Sequence, residues 1–182
     1  MHVQDFLEID LDALKPQAPW KMLSNLPYHV TFPILHRVHQ YRHLISEGVV
    51  MMQEEVAQKI VKDHGRGYGH VSLSFQYYFD WKILSKVLPT SFYPEPKVFS
   101  RLLKFTTKQN VVPIKQEKEF WKFIKFCFAQ PRRTLRNNLA QTHIPLEKIS
   151  GNLLDLRAQQ MSMTDFLTLW ETVMPLFMKA VN

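Results

Sequence analysis

The strongest constraint on the fold is an apolar run that stops at the tetrapeptide Asn25-Leu26-Pro27-Tyr28. Residues 20–26 have the length and composition of a β-strand, and helix-like residues begin near Thr31. The proline fixes its own φ and disfavours helical geometry at the preceding leucine, which holds the asparagine and the tyrosine at the carboxyl end of the strand. Ligands bind at that end of an open α/β sheet. On the tetrapeptide alone, an ordinary strand-to-helix turn is the favoured interpretation.

Strand-like and helix-like segments alternate along the first part of the chain, which predicts an α/β sheet. The end of a strand and a loop are predicted at residues 3–9, and a short polar helix or loop at 10–19. The predicted strands cover residues 20–26, 48–53, 81–88 and 98–106, and the predicted helices cover 31–41, 54–62 and 71–79. A stiff, proline-rich loop precedes the last strand.

Only helices are predicted after residue 107. They cover residues 116–129, a segment that opens at Arg132, and a final segment after the capping box Ser162-Met163-Thr164-Asp165. The aromatic face of the first of these helices is predicted to be core rather than a base-stacking platform. We therefore predict an α/β domain at residues 1–108 and a small α-helical, basic domain at 109–182.

The glycine cluster Gly65-Arg66-Gly67-Tyr68-Gly69 is similar in composition to a phosphate-binding loop. It follows a predicted helix, however, and such a loop requires a strand before it to aim backbone amides at a phosphate. We interpret the cluster as a flexible connector.

Composition excludes several classes of protein. No apolar run is long enough to span a bilayer, and the first residues lack the basic start and apolar core of a signal peptide. The single Cys127 excludes an internal disulfide framework and a thiolate-rich metal site, and it indicates a reducing, intracellular setting. Eight histidines are present, but His29, His36, His39 and His43 have no Cys or carboxylate partners at ligand spacing, so we predict no metal.

Positive charge is concentrated in the second half of the chain. Residues 1–96 have a net charge of −1 and residues 97–182 a net charge of +8. A one-sided excess of this kind indicates attraction to a polyanion, and nucleic acid is the leading candidate. The side chains predicted to bind RNA are a lysine stripe on one helical face and an arginine cluster after it: Lys118, Lys122, Lys125, Arg132, Arg133 and Arg136.

Five segments in a fixed order resemble a known family. Three lie in the first domain: Asp5-Phe6-Leu7, Asn25-Leu26-Pro27-Tyr28 and Phe92-Tyr93-Pro94-Glu95-Pro96-Lys97-Val98. Two lie in the second: Phe128-Ala129-Gln130-Pro131-Arg132-Arg133-Thr134-Leu135-Arg136-Asn137 and Leu156-Arg157-Ala158-Gln159-Gln160-Met161. Together they resemble the ribosomal RNA adenine dimethyltransferases of the KsgA type, and the match extends in the right order over essentially the whole chain.

The resemblance implies a fold and a reaction. The fold is the C-terminal part of a Rossmann-like S-adenosylmethionine methyltransferase sheet, followed by a small all-α domain. The reaction is dimethylation of the exocyclic amines of two adjacent adenines near the end of small-subunit rRNA, with S-adenosyl-L-methionine as cofactor and a role in ribosome biogenesis. The implied partner is small-subunit rRNA in the pre-30S subunit, and we expect a monomer in the cytoplasm with no membrane association.

The resemblance also assigns roles to residues. The side-chain carbonyl of Asn25 and the backbone carbonyl of Leu26 or Pro27 take the two amine protons. Tyr28 stacks on the extruded adenine and Phe92 lies on its other side or edge. Asp5, Phe6 and Asn25 bind the cofactor, with Asp5 accepting a hydrogen bond from its adenine amine. Asp5 is otherwise interpreted as a turn or capping carboxylate.

The chain departs from the family pattern at its start. The family's glycine-rich loop, and the acidic residue that holds the cofactor ribose, precede the counterpart of Asp5. We therefore expect an N-terminally truncated chain that lacks about three β-α units, at ~30 residues each. Pro131 and Gln159 are smaller departures in the helical domain.

Two other functions stay open at this point. The absent cofactor loop is compatible with a non-catalytic RNA-binding or ribosome-assembly module. A DNA adenine methyltransferase is the weaker alternative, because those enzymes more often have a second proline where this chain has Leu26.

Overall fold

The computed structural model describes residues 3–142, 144–149 and 152–181. Its strands and α-helices follow in the order β1 Trp20–Asn25, α1 Thr31–Gln40, β2 Ile45–Gln53, α2 Glu54–Val61, α3 His70–Tyr78, β3 Phe79–Val87, β4 Ser100–Thr107, α4 Glu117–Cys127, α5 Leu135–Leu139 and α6 Met163–Val181. The strands and helices predicted between residues 20 and 107 are all present, with their ends shifted by a few residues at most. A short 3-10 helix, Asp12–Gln17, precedes β1.

The chain divides into two compact units. The first contains the residues up to Val61 together with Phe75–Asn110, and the second contains Lys62–Ser74 together with the residues from Val111 onward. The four-stranded sheet belongs to the first unit, and α4, α5 and α6 belong to the second.

The sheet has the strand order β1-β2-β4-β3. β1 pairs with β2 in parallel, and β4 pairs with both β2 and β3 in antiparallel fashion. Ser100, the first residue of β4, is therefore the register partner of both Gln53 and Val87, which end β2 and β3. The carboxyl ends of β1, β2 and β3 and the amino end of β4 thus lie together at one end of the sheet.

The core of the first unit includes alternate residues of the central strands, whose side chains lie on one face of the sheet. Val50 and Met52 of β2 and Leu103 and Phe105 of β4 are fully buried. Gly48 of β2 allows a close approach, because a Cβ atom built there would lie 2.6 Å from the Phe105 ring and 2.8 Å from the Met22 carbonyl oxygen.

The second unit has its own hydrophobic core, built from α4, α5 and α6. Phe120, Phe123 and Ile124 of α4 are fully buried in it, which confirms that the aromatic face of this helix is core. Burial raises the pKa of the Cys127 thiol in the same core. The capping box at the start of α6 is confirmed: the Ser162 amide donates to Asp165 Oδ2 at 2.8 Å, and the Asp165 amide donates to Ser162 Oγ at 3.2 Å.

The connector between α2 and α3 contains the glycine cluster, as predicted. Gly65 and Gly67 have φ angles of +71° and +95°, which residues other than glycine rarely adopt. The amide of Gly65 donates to the carbonyl of Gln159 at 3.1 Å, so one end of the connector is anchored within the second unit.

Two local predictions were wrong. Residues 3–9 contain turns and no strand end, because the amides of Leu7, Glu8 and Ile9 bond to the carboxylate and carbonyl of Asp5. The helix predicted to open at Arg132 begins only at Leu135. Thr134 is extended and forms a β-bridge with Arg157. The backbone before Leu135 therefore pairs with a distant segment instead of forming a helix.

Candidate active site

The turn after β1 is rigid and is anchored to the neighbouring strand. Leu26 is buried, and its amide donates to the carbonyl of Met51 in β2 at 2.9 Å. Pro27 is extended (φ −60°, ψ 130°), and a single 3-10 turn, Tyr28–Val30, leads from it into α1. The Pro27 carbonyl oxygen accepts two hydrogen bonds, from the Val30 amide and from Thr31 Oγ1, both at 3.1 Å. These hydrogen bonds hold the backbone of residues 27–31 at the proline, and Asn25 remains exposed at the end of β1.

A cavity of about 270 Å³ opens at this turn, and we call it the turn cavity. It is lined by Asn25, Leu26, Pro27, Tyr28, Phe92, Tyr93, Pro94 and Pro96. The structure therefore brings together all five residues to which the resemblance assigns catalytic roles, although more than sixty positions separate Phe92 from the turn. Of its three aromatic residues, Tyr28 and Phe92 are half-buried and Tyr93 is exposed.

The hydroxyl group of Tyr28 forms a hydrogen bond to a residue of the sheet. Its hydroxyl lies 2.7 Å from Ser100 Oγ, and either oxygen can donate the proton. Ser100 is fully buried at the start of β4. Sequence reasoning missed Ser100: it follows the proline-rich loop closely, but nothing in the local pattern identifies a partner 72 residues away.

The residues predicted to bind the cofactor lie apart from the lining of the turn cavity, except Asn25. The Asp5 carboxylate is exposed and accepts a hydrogen bond from the Leu7 amide at 2.8 Å, so it caps its own turn. Phe6 is half-buried and lines a second cavity of about 360 Å³ beside β1, which we call the edge cavity. The other walls of the edge cavity are mainly apolar, with Leu11, Trp20 and Ile34 among them.

The basic residues of β4, and Lys108 directly after it, each pair with a carboxylate. Arg101 binds Glu54, Lys104 Nζ lies 2.9 Å from Glu47, and Lys108 Nζ lies 3.4 Å from Asp80. The Arg101 guanidinium holds the pKa of Glu54 below its usual range. These basic residues contribute to the charge excess of the sequence, but their charge is compensated in the fold.

The second unit exposes all six side chains predicted to bind RNA. Lys122 lies 2.9 Å from Glu119, and Arg136 lies 3.3 Å from Asp155. Within the described part of the chain, the other four, Lys118, Lys125, Arg132 and Arg133, form no ion pair. Of the three arginines, Arg132 and Arg133 lie in the turn before α5, and Arg136 lies within α5.

Asn138 shapes the arginine turn and was missed by sequence reasoning. It is buried, and its side chain donates to the carbonyls of Cys127 and Gln130 and accepts from the Gln130 amide. These three bonds close the chain between α4 and α5.

Among residues 3–142, 144–149 and 152–181, no three His, Cys, Asp or Glu side chains are grouped so that they could hold a metal ion. None of the helices there combines the length and the hydropathy that crossing a membrane requires.

Comparison with known proteins identifies the family. The chain is 33% identical over 179 residues to the ribosomal RNA small subunit methyltransferase A of Chlorobium phaeobacteroides, covering 98% of this chain and 66% of that protein. It is 34% identical over 185 residues to the protein of the same name from Syntrophotalea carbinolica, with coverages of 97% and 70%. The chain thus spans about two thirds of the length of these curated relatives.

A solved structure shows the same fold. The crystal structure of a dimethyladenosine transferase from Plasmodium falciparum matches with a TM-score of 0.73 at 20% identity, over 88% of this chain and 67% of that one. The predicted fold class, a Rossmann-like α/β sheet followed by helices, is confirmed. Residues 1–173 match the profile of the family described as ribosomal RNA adenine dimethylase, and the chain belongs to that family.

Proposed function

We propose that this chain carries the base-holding part of an S-adenosylmethionine-dependent rRNA adenine dimethyltransferase, which modifies two adjacent adenines near the end of small-subunit rRNA. The observation that supports it most is the turn cavity, where Asn25, the backbone of the turn and the aromatic residues Tyr28 and Phe92 surround one space. Family membership and the relatives named for small-subunit rRNA methylation support the same reaction.

The walls of the turn cavity suit an adenine amine. This amine is a poor nucleophile because its lone pair is delocalised into the ring, and two acceptors on its protons favour a tetrahedral nitrogen. The side-chain carbonyl of Asn25 is one acceptor. For the other, Leu26 is favoured over Pro27, because the Pro27 carbonyl already accepts bonds from Val30 and Thr31.

The two aromatic residues offset the cost of extruding the base. Extrusion costs a few kcal/mol, whereas stacking on an aromatic side chain contributes roughly 1–3 kcal/mol. Tyr28 and Phe92 together are therefore sufficient to hold the adenine. The two amine hydrogen bonds, at about 0.5–1.5 kcal/mol each, then serve for alignment.

The residues proposed for the cofactor fit its base. Phe6 lines the apolar edge cavity, which has room for a purine, and the exposed Asp5 carboxylate is an acceptor of the kind an adenine amine requires. When bound, S-adenosylmethionine supplies an electrophilic methyl group on a sulfonium. Asn25, at the end of β1, would contact both the cofactor and the acceptor base.

We further propose that the second unit binds rRNA of the pre-30S subunit through its exposed basic side chains, and that the protein is a cytoplasmic monomer. The cations without ion pairs, Lys118, Lys125, Arg132 and Arg133, are the ones best able to contact phosphates. Sedimentation of the purified chain at micromolar concentration tests the monomer.

The direct test is expression of the gene that encodes this chain in a bacterial strain that lacks the dimethylation. Primer extension should then stop at the two target adenines, because dimethylation blocks their pairing edge. Read-through at both adenines, with the protein shown to be present, would contradict the proposal. Calorimetric titration with S-adenosylmethionine separates it from a non-catalytic assembly module, which requires no cofactor affinity.

A further inference from the structure

We infer that Ser100 is a positioning residue for Tyr28: its buried hydroxyl fixes the orientation in which the tyrosine ring receives the acceptor base. This role rests on the proposed function. It deepens that function by assigning a purpose to the tyrosine hydroxyl, which stacking alone does not need.

Ser100 is a rigid anchor. It is fully buried, and its register partners are Gln53 of β2 and Val87 of β3, so its backbone is held between two strands. The carbonyl of its neighbour Phe99 accepts from the Glu54 amide at 3.0 Å, which also ties this point to the start of α2. The serine hydroxyl therefore cannot follow a movement of its partner without disturbing the sheet.

Tyr28 needs such an anchor. It begins a single 3-10 turn, it is half-exposed, and it forms a wall of the open turn cavity. An aromatic side chain in that setting has two rotatable bonds that stacking on a base would have to order. The bond of 2.7 Å between the tyrosine hydroxyl and Ser100 Oγ restrains both before RNA arrives. Such preorganisation strengthens binding by reducing the entropy lost on association.

A purely structural role for the bond is the competing explanation. β4 offers a matched control, since Thr107 at its other end also has a buried hydroxyl that donates to a backbone carbonyl, that of Ile45. Thr107 does not line the turn cavity. Ser100→Ala and Thr107→Val each remove one buried hydroxyl from the same strand, and only the first touches Tyr28.

The experiment uses the full 182-residue chain and a short RNA stem-loop that has two adjacent loop adenines, one of them replaced by 2-aminopurine. The fluorescence of this base rises when it leaves the RNA stack and is quenched when it stacks on an aromatic ring. With saturating wild-type protein we expect quenching. Ser100→Ala and Tyr28→Phe should each lower the stacking equilibrium about two- to tenfold, the range of one hydrogen bond. The double variant should lose no more than either single variant, because both remove the same bond.

The controls separate the positioning role from the proposed site. Tyr28→Ala should abolish the quenching, and Thr107→Val should leave it unchanged even if its thermal midpoint falls as far as that of Ser100→Ala. If Ser100→Ala behaves like Thr107→Val while Tyr28→Ala abolishes quenching, the positioning role is wrong and the proposed site stands. If the wild type does not quench, or Tyr28→Ala quenches like the wild type, the base does not stack on Tyr28 and both proposals are overturned.

Discussion

Arg101 holds the carboxylate of Glu54 with two parallel hydrogen bonds, from Nε to Oε2 at 2.7 Å and from Nη2 to Oε1 at 2.9 Å. A third bond runs from its Nη1 to the carbonyl of Leu84 in β3 at 3.2 Å. The guanidinium thus links β4 to its neighbour β3 and to the start of α2, next to the serine that holds Tyr28. A bidentate pair of this kind is stronger than an exposed ion pair and more specific in geometry.

Glu54→Gln should destabilise the first unit by about 1–2 kcal/mol, because the glutamine amide has only one acceptor oxygen and so loses one of the two hydrogen bonds from Arg101 together with the negative charge. Urea denaturation followed by circular dichroism measures the change. The matched control is Glu55→Gln at the next position, where the carboxylate is exposed and pairs with Lys59 one turn along the helix. That variant should be indistinguishable from the wild type, and equal losses in both variants would show that the Arg101 pair has no special weight.

Glu47 predicts a dependence of stability on pH. Hydrogen bonds from Lys21 on β1 and Lys104 on β4 lower its pKa to about 2. A carboxyl group whose pKa is lower in the folded state stabilises the protein above its ordinary pKa, and this contribution is lost as the pH falls toward the folded value. The difference in unfolding free energy between wild type and Glu47→Gln should therefore be constant near neutral pH, shrink below about pH 4.5 and vanish near pH 2. The control is Glu171→Gln, at an exposed carboxylate of α6. If the difference between wild type and Glu47→Gln does not change with pH, the pairing of Glu47 with the two lysines is contradicted.

The local elements of the first unit were predictable because each depends on neighbours in sequence. The short apolar run of β2 and the proline after β1 define a strand and a turn within a few residues. Pairing is not local: β4 inserts between β2 and β3, and no periodicity specifies that order. The same limit hid the bond between Tyr28 and Ser100, whereas the resemblance did identify the residues that line the turn cavity.

The errors have one physical source as well. At residues 3–9 and before α5, backbone groups that a propensity argument assigns to a strand or a helix are satisfied by other partners. Asp5 takes the amides of its own turn, and Leu135 donates to the carbonyl of Leu156 at 2.8 Å. A charge count along the sequence has the same limit: it includes Arg101, Lys104 and Lys108, although each of them pairs with a carboxylate in the fold.

Gly48→Ala should destabilise the protein by about 1–3 kcal/mol, the usual cost of overpacking a filled core. The added methyl group would meet the Phe105 ring at 2.6 Å and the Met22 carbonyl oxygen at 2.8 Å, and a backbone atom in a paired strand cannot move aside cheaply. Thermal denaturation checks this. Gly69→Ala is the matched control because nothing lies within 4 Å of its Cβ position. If Gly48→Ala proves as stable as Gly69→Ala, Gly48 is not packed closely against the Phe105 ring and the Met22 carbonyl oxygen.

The basic surface predicts how RNA affinity depends on salt. Each phosphate contact on a single strand contributes about −0.7 to the slope of log K against log salt concentration. The double variant Arg132→Ala/Arg133→Ala should therefore flatten the slope by about 1.4 units. Arg136→Ala should change it less, since Arg136 is already paired with Asp155. Filter binding over a range of KCl concentrations measures both. An unchanged slope in the double variant would mean that these arginines do not contact RNA.

Asn25→Ala should lower the rate of methyl transfer about ten- to a hundredfold while RNA affinity and its salt slope stay close to the wild type. The amide contacts the reacting amine in the proposed site, whereas RNA binding rests on phosphate contacts made elsewhere. Single-turnover transfer from labelled S-adenosylmethionine to unmethylated small subunits gives the rate, and filter binding gives the affinity. The control is Asn110→Ala, at an exposed asparagine outside the turn cavity. Equal losses of rate and affinity in Asn25→Ala would show that the side chain serves binding or folding and does not align the amine.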